Sequence, residues 1–182
     1  MTGLYRIPIE RVLTGCTVVL ASGCMATGPL VEAPKLGTPL AAEVVTVDAL
    51  NVFPDGRGLP NGRGTVAEGA SLFAKHCAAC HGRDGRGGSA EELVGASRPL
   101  DHPDADKTIG SYWPHATTVF DFIRRAKPMN APGTLDANDV YALSAWLLHV
   151  NGVIAADAVM DAQTLPAVRM PNRDGFIRIE GP

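Results

Sequence analysis

The stretch Cys77-Ala78-Ala79-Cys80-His81 sets two thiols three residues apart, with an imidazole directly after the second. Three chemistries use a Cys-x-x-Cys pair. A redox dithiol sits where a strand feeds a helix, and it has no need of the histidine. A zinc site requires two further ligands, commonly a second Cys-x-x-Cys or a pair of histidines. Covalent haem attachment uses all three side chains. Both sulfurs bond to the porphyrin edge, and the imidazole reaches the iron from the proximal face.

The other two cysteines bear on this choice. Cys16 and Cys24 lie in an N-terminal stretch that reads as an export signal: Arg6 and Arg11, then an apolar run from Val12 to Gly23 with small residues at its end. That run is too short for an ordinary membrane-spanning helix. Leu20-Ala21-Ser22-Gly23-Cys24 also has the form of a bacterial lipoprotein signal, in which Cys24 becomes the lipidated first residue. Lipidation, ordinary cleavage nearby and a retained anchor all stay open. If the leader consumes Cys16 and Cys24, no second cysteine pair remains to complete a zinc site, and covalent haem becomes the preferred reading.

A chain of 182 residues with net charge −3 has room for one domain plus extensions, and its lack of a basic stripe argues against nucleic acid as a partner. Twenty glycines and fourteen prolines announce a loop-rich molecule. The expected organisation is an export signal over 1–23, a linker and irregular arm over 24–64, a helical core over 65–152 and a C-terminal extension over 153–182. Within the arm, Val44 to Phe53 suits a short extended segment, while Pro54 to Gly64 is turn chemistry throughout.

Three helices must position the motif. The first starts at a Thr65-x-x-Glu68 capping box and carries Val66, Ala70, Phe73 and Ala74 on one face. Gly69, four residues before Phe73, would let a partner helix approach closely. A flexible loop follows His81, with one helical turn expected near Glu91. The second helix is expected over Gly110–Ala126, with Pro114 in its first turn and an apolar stripe of Val119, Phe122, Ile123 and Ala126. The third opens at Asp136 with Leu135 and Val140 as a hydrophobic staple. It buries Val140, Leu143, Leu147 and Val150, and stops at Gly152. A short helical piece is expected beyond residue 153.

Helix, Cys-x-x-Cys-His, long loop, helix, Met-bearing loop and final helix together resemble the class I cytochrome c fold, an all-α architecture, over about residues 65–152. Pro54–Gly64, Thr108–Ala126, Asp139–Gly152 and Met170–Phe176 are more narrowly similar to the cytochrome c subunits and domains of bacterial sulfite and sulfur dehydrogenases. That resemblance implies one covalently bound haem c on Cys77, Cys80 and His81. It further implies a molybdenum-containing dehydrogenase subunit as electron donor and a downstream cytochrome or oxidase as acceptor. The export signal points to the periplasm, and its lipoprotein form to membrane attachment through a lipid on Cys24. The chain contains a single Cys-x-x-Cys-His.

An electron carrier of this kind usually fills the second axial position with a methionine, whose thioether raises the reduction potential. Met129 precedes the last core helix, where class I cytochromes place that ligand, but Lys127-Pro128 stands where the resembled family reads Met-Pro. Met170-Pro171 keeps such a pair in the tail, so Met170 is preferred and Met129 is the alternative. Lys127 as a neutral amine, or one of His76, His102, His115 and His149, are further candidates; a solvated cation and surface or hydrogen-bonded histidines are their plainer readings. Tyr112 and Trp113 are candidates to line the cofactor, and Arg124 or Arg125 to pair with its propionates. The leading function is one-electron transfer, with the chain serving as subunit and not as enzyme. A free-standing carrier for another dehydrogenase or oxidase is one alternative. A peroxidase-like haem enzyme is the other, should the distal position be open.

Overall fold

A computed structural model describes residues 37–38, 51–95 and 98–177. The leader, Cys24 and most of the arm, including Val44 to Leu50, lie outside the described residues. The residues from 51 onward belong to one compact unit, Leu40–Pro182. Its elements run β1 (Arg63–Thr65), α1 (Val66–His76), α2 (Ala78–His81), α3 (Ala116–Ala126), α4 (Ala137–Val150), β2 (Val159–Asp161) and α5 (Thr164–Ala167).

Both ends of the core are fixed by local chemistry. At the start of α1 the Thr65 amide donates to Glu68 Oε2 at 2.8 Å, and the Glu68 amide donates back to Thr65 Oγ1 at 3.3 Å. Two otherwise orphaned amides are thereby satisfied. Asp136 caps α4 by accepting from the Asp139 amide at 2.9 Å. The far end of α4 closes in a Schellman turn. Gly152, at φ 72°, donates to the His149 carbonyl at 2.8 Å, and Val153 donates to that of Leu148 at 2.9 Å.

The centre of the molecule is the crossing of α1 and α4. Every residue from Val140 to Leu148 is buried, so α4 is a core helix on all sides over that stretch. Gly69 permits the approach: a Cβ there would overlap the Ala142 carbonyl oxygen and lie 2.7 Å from Trp146 Cβ. One turn later Phe73 stacks on Trp146 with centroids 4.0 Å apart and planes at 30°. Burying two such rings contributes several kcal/mol, about 25 cal/mol for each Å² removed from water.

Four local expectations change. The architecture is mostly helical, yet β1 and β2 pair antiparallel, with Gly64 opposite Met160, so it is not purely all-α. Next, α3 begins at Ala116 and not Gly110. Pro114 disfavours helical backbone at Trp113, and His115 is extended at φ −137°, ψ 134°. Its inward face is Val119, Phe120 and Ile123, with Phe120 against Tyr141 at 4.5 Å, while Phe122 is 47% exposed. Finally, no helical turn forms near Glu91. Among the described residues no helix is long and apolar enough to cross a membrane.

Candidate haem site

The four-residue helix α2 carries Cys80 and His81, and Cys77 is its N-cap. Both thiols are unpaired. Cys77 borders the apolar core, and burial pushes its thiol up to about 11, against the opposing pull of the Lys127 ammonium. The glycine-rich loop after His81 folds back on the motif: the Ala90 amide donates to the Cys80 carbonyl at 2.8 Å. This return presents the Glu91 carbonyl to His81 Nδ1 at 2.8 Å. A ring nitrogen facing a carbonyl must carry the proton, so Nδ1 donates and Nε2 keeps its lone pair. The motif therefore offers two thiols and one oriented imidazole nitrogen, the donor set that covalent haem requires.

The two methionine candidates differ sharply in environment. Met170 is 1% exposed and belongs to the core, whereas Met129 is 78% exposed. Met170 is held by its own loop and by the stretch before α3. The Arg173 amide donates to the Met170 carbonyl at 3.1 Å, and Asn172 Nδ2 donates to the Tyr112 carbonyl at 2.7 Å. Met160 is buried in the core at the β1–β2 pair.

The remaining sequence candidates separate into groups. Tyr112 meets Phe176 edge-on at 5.2 Å and lies under the Lys107 ammonium at 5.6 Å. Trp113 is half-buried against the core and meets Phe122 edge-on at 5.7 Å, and the Lys127 ammonium covers Phe122 at 5.3 Å. Lys127 thus joins Cys77, Phe122 and Trp113 on one side of the molecule. Arg124 is elsewhere, in a cleft lined by Pro60, Leu135 and Ala137, where its charge reaches the Tyr141 phenol. That phenol donates to the Pro60 carbonyl at 2.9 Å, and burial pushes its ionisation up to about 12. Arg125 pairs with Asp121 one turn back on α3.

Of the other histidines, His149 Nδ1 bonds the Ile154 carbonyl at 3.1 Å and His102 Nδ1 accepts from the Asp104 amide at 3.0 Å. His115 departs from its plainer reading: among the described residues its Nδ1 is buried without a partner, as is Thr117 Oγ1. Sequence reasoning passed over Thr117 entirely. A threonine in a first helical turn gives no signal until its surroundings are known.

The Cytochrome c family profile matches residues 66–151. A thiosulfate dehydrogenase of Stutzerimonas stutzeri (strain A1501) is 28% identical over 129 residues, covering 61% of this chain. The cbb3-type cytochrome c oxidase subunit FixP of Bradyrhizobium sp. (strain ORS 278) is 30% identical over 129 residues, covering 69%. Each alignment takes in 41% of the relative, so the chain spans about two fifths of the curated proteins it matches. Among solved structures, a chain in the crystal structure of the sulfane dehydrogenase SoxCD from Paracoccus pantotrophus superposes with a TM-score of 0.72. It is 40% identical, and the match covers 79% of this chain and 71% of that one.

Proposed function

This chain belongs to the cytochrome c family and binds haem c covalently, and from that premise we propose that it is the electron-accepting subunit of a molybdenum dehydrogenase acting on reduced sulfur compounds in the periplasm. The observation that carries this reading is the 40% identity to a sulfane dehydrogenase chain over 79% of this one, a reach well beyond the family core at 66–151. The similarity to a thiosulfate dehydrogenase points the same way.

When bound, the haem supplies a reversible ferric–ferrous couple. The chain's residues then do the rest. Cys77 and Cys80 would hold the haem as thioethers. His81, its tautomer fixed by the Glu91 carbonyl, would offer Nε2 to the iron. Met170, buried and tethered through Asn172, would supply the second ligand; the exposure of Met129 speaks against it in that role. Trp113 and Phe122 meet edge-on, and the Lys127 side chain covers Phe122. With His81 and Met170 both holding the iron, the protein would accept and pass single electrons and leave substrate chemistry to its partner. Electrons leave to a further cytochrome or oxidase, and a lipid on Cys24 would keep the chain at a membrane.

Native purification followed by size exclusion tests the reading, with haem and molybdenum measured in each fraction and haem reduction recorded on adding sulfite or thiosulfate. Co-elution and substrate-driven reduction are expected. A haem peak without molybdenum that neither substrate reduces would overturn the sulfur-dehydrogenase assignment. It would favour a second reading, a free carrier delivering to an oxidase, which the likeness to an oxidase subunit supports. Binding of cyanide or carbon monoxide at the iron would instead indicate an open distal site and a peroxidase-like enzyme.

A further inference from the structure

Arg124 and Arg125, candidates for the haem propionates on sequence grounds, line a cleft of about 590 Å³ whose other walls are Pro60, Gly133, Leu135 and Ala137. Pro60 belongs to the arm before β1, Gly133 and Leu135 to the loop before α4, and Ala137 to the first turn of α4. The cleft is accessible, since nothing lies within 4 Å of the point where a Gly133 Cβ would stand. Apart from the two guanidinium groups its side chains are apolar.

Arg124 is the member that calls for an explanation. It is half-buried, and among the described residues it has neither a hydrogen bond nor an ion pair. Its charge acts on the Tyr141 phenol, but that hydroxyl donates to the Pro60 carbonyl at 2.9 Å. The adjoining carboxylates are engaged. Asp121 holds Arg125 and accepts from the Val52 amide at 3.3 Å, and Asp136 accepts from the Asp139 amide at 2.9 Å. A guanidinium drawn partly out of water needs acceptors in exchange, and its planar fork fits a carboxylate.

Size and walls say what brings that carboxylate. A lone small oxyanion would occupy a minor part of the cleft and leave its apolar walls wet. A chain segment with an acidic side chain matches both the cations and the apolar surface. Position supplies a use for it: α3 ends at Lys127, one turn beyond Arg124, and the Lys127 charge acts on Cys77, the proposed haem anchor. A partner held in the cleft is thus one helical turn from a cation beside the cofactor's attachment point.

We propose that this cleft is the docking socket for an acidic segment of the dehydrogenase subunit, a carboxylate of that segment pairing with Arg124 and Arg125 while its apolar side chains lie on Pro60, Leu135 and Ala137. The inference rests on the subunit reading above.

The test uses the native complex, separated into haem-loaded chain and molybdenum subunit and then remixed. Haem reduction by the substrate-reduced subunit is followed at several ionic strengths for the native chain, Arg124→Glu, Arg124→Lys and Arg83→Glu. Arg83, an exposed arginine of the glycine-rich loop, controls for net charge. In Arg124→Glu the second-order rate should fall about tenfold or more at low salt. The gap should close towards about 1 M salt, where the Debye length is about 3 Å. Arg124→Lys should keep most of the native rate, because it keeps the charge and loses only the fork. A native rate in Arg124→Glu, or an equal loss in Arg83→Glu, would overturn the proposal.

If Arg124→Glu does not fold, the native complex carrying a diazirine analogue of leucine in place of Leu135 supplies the reading. Irradiation should join it to a stretch of the molybdenum subunit that contains Asp or Glu. Attachment to a neutral stretch, to this chain's own residues before 51, to a second copy of the chain or to no protein would overturn the socket. A haem chain that purifies without molybdenum would bring down the subunit reading and this one together. An intact complex with no crosslink from the cleft would bring down this one alone.

Discussion

At the scale of single residues, the difference between Met170 and Met129 is one of desolvation. A thioether makes weak bonds to iron, so it competes best where water is excluded and where the backbone that carries it is already tied down. Met170 meets both conditions, whereas Met129, 78% exposed, fails the first. Replacing Met170 with Ala should abolish the sulfur-to-ferric-iron charge-transfer band and lower the reduction potential. The Met129→Ala chain should keep both at native values. Loss of the band in the Met129 variant alone would reverse the assignment. His81 needs no comparable choice, because its tautomer is set by the Glu91 carbonyl at 2.8 Å.

At the scale of elements, the crossing of α1 and α4 depends on a missing methyl group. Alanine is the better helix former by about 1 kcal/mol, so Gly69→Ala would stabilise an isolated α1. In the folded chain the added Cβ meets the rigid Ala142 carbonyl, and overpacking of that kind costs about 1–3 kcal/mol. Because the clash is with backbone, the upper end of that range applies and the packing cost wins. Thermal melts of the haem-loaded Gly69→Ala protein should show a clear net loss of stability, and an unchanged or higher melting temperature would contradict this account of the crossing. The elements also show what a sequence can carry. Thr65, Glu68, Asp136 and Gly152 act through neighbours within a few residues, so their caps were legible in advance. The Gly69–Phe73 spacing was legible because helical period alone puts both on one face. Three-residue strands have no period to read, so β1 and β2 were missed. The inward turn of Phe120 in place of Phe122 follows from Tyr141 on another helix, and the buried Thr117 and His115 from a fold that their local sequence does not describe.

At the scale of the whole molecule, the C-terminal extension packs on the core and, in the proposed site, also supplies the ligand Met170. It returns across the core as β2, placing Met160 opposite Gly64, then buries Leu165 and ends its buried run at Met170. Ligation and packing can be separated by where the chain is cut. Ending the chain after Val168 leaves β2, α5 and Leu165 in place and removes Met170 with the loop that tethers it. Ending it after Gly152 removes all of them and uncovers the apolar side of β1 and α4. The shorter cut should leave cooperative unfolding with covalent haem attached, while erasing the charge-transfer band and opening the iron to carbon monoxide. The longer cut should also broaden the unfolding transition and lower its midpoint, since Met160 and Leu165 are lost in addition to Met170, at about 2–5 kcal/mol each. A chain ending at Gly152 that melted like the native protein and kept the band would mean that Met129 reaches the iron and that the extension is dispensable to the fold. The opposite result would make the extension a structural part of the haem protein, carrying the iron's second axial ligand on the same strand-and-turn segment that seals the core.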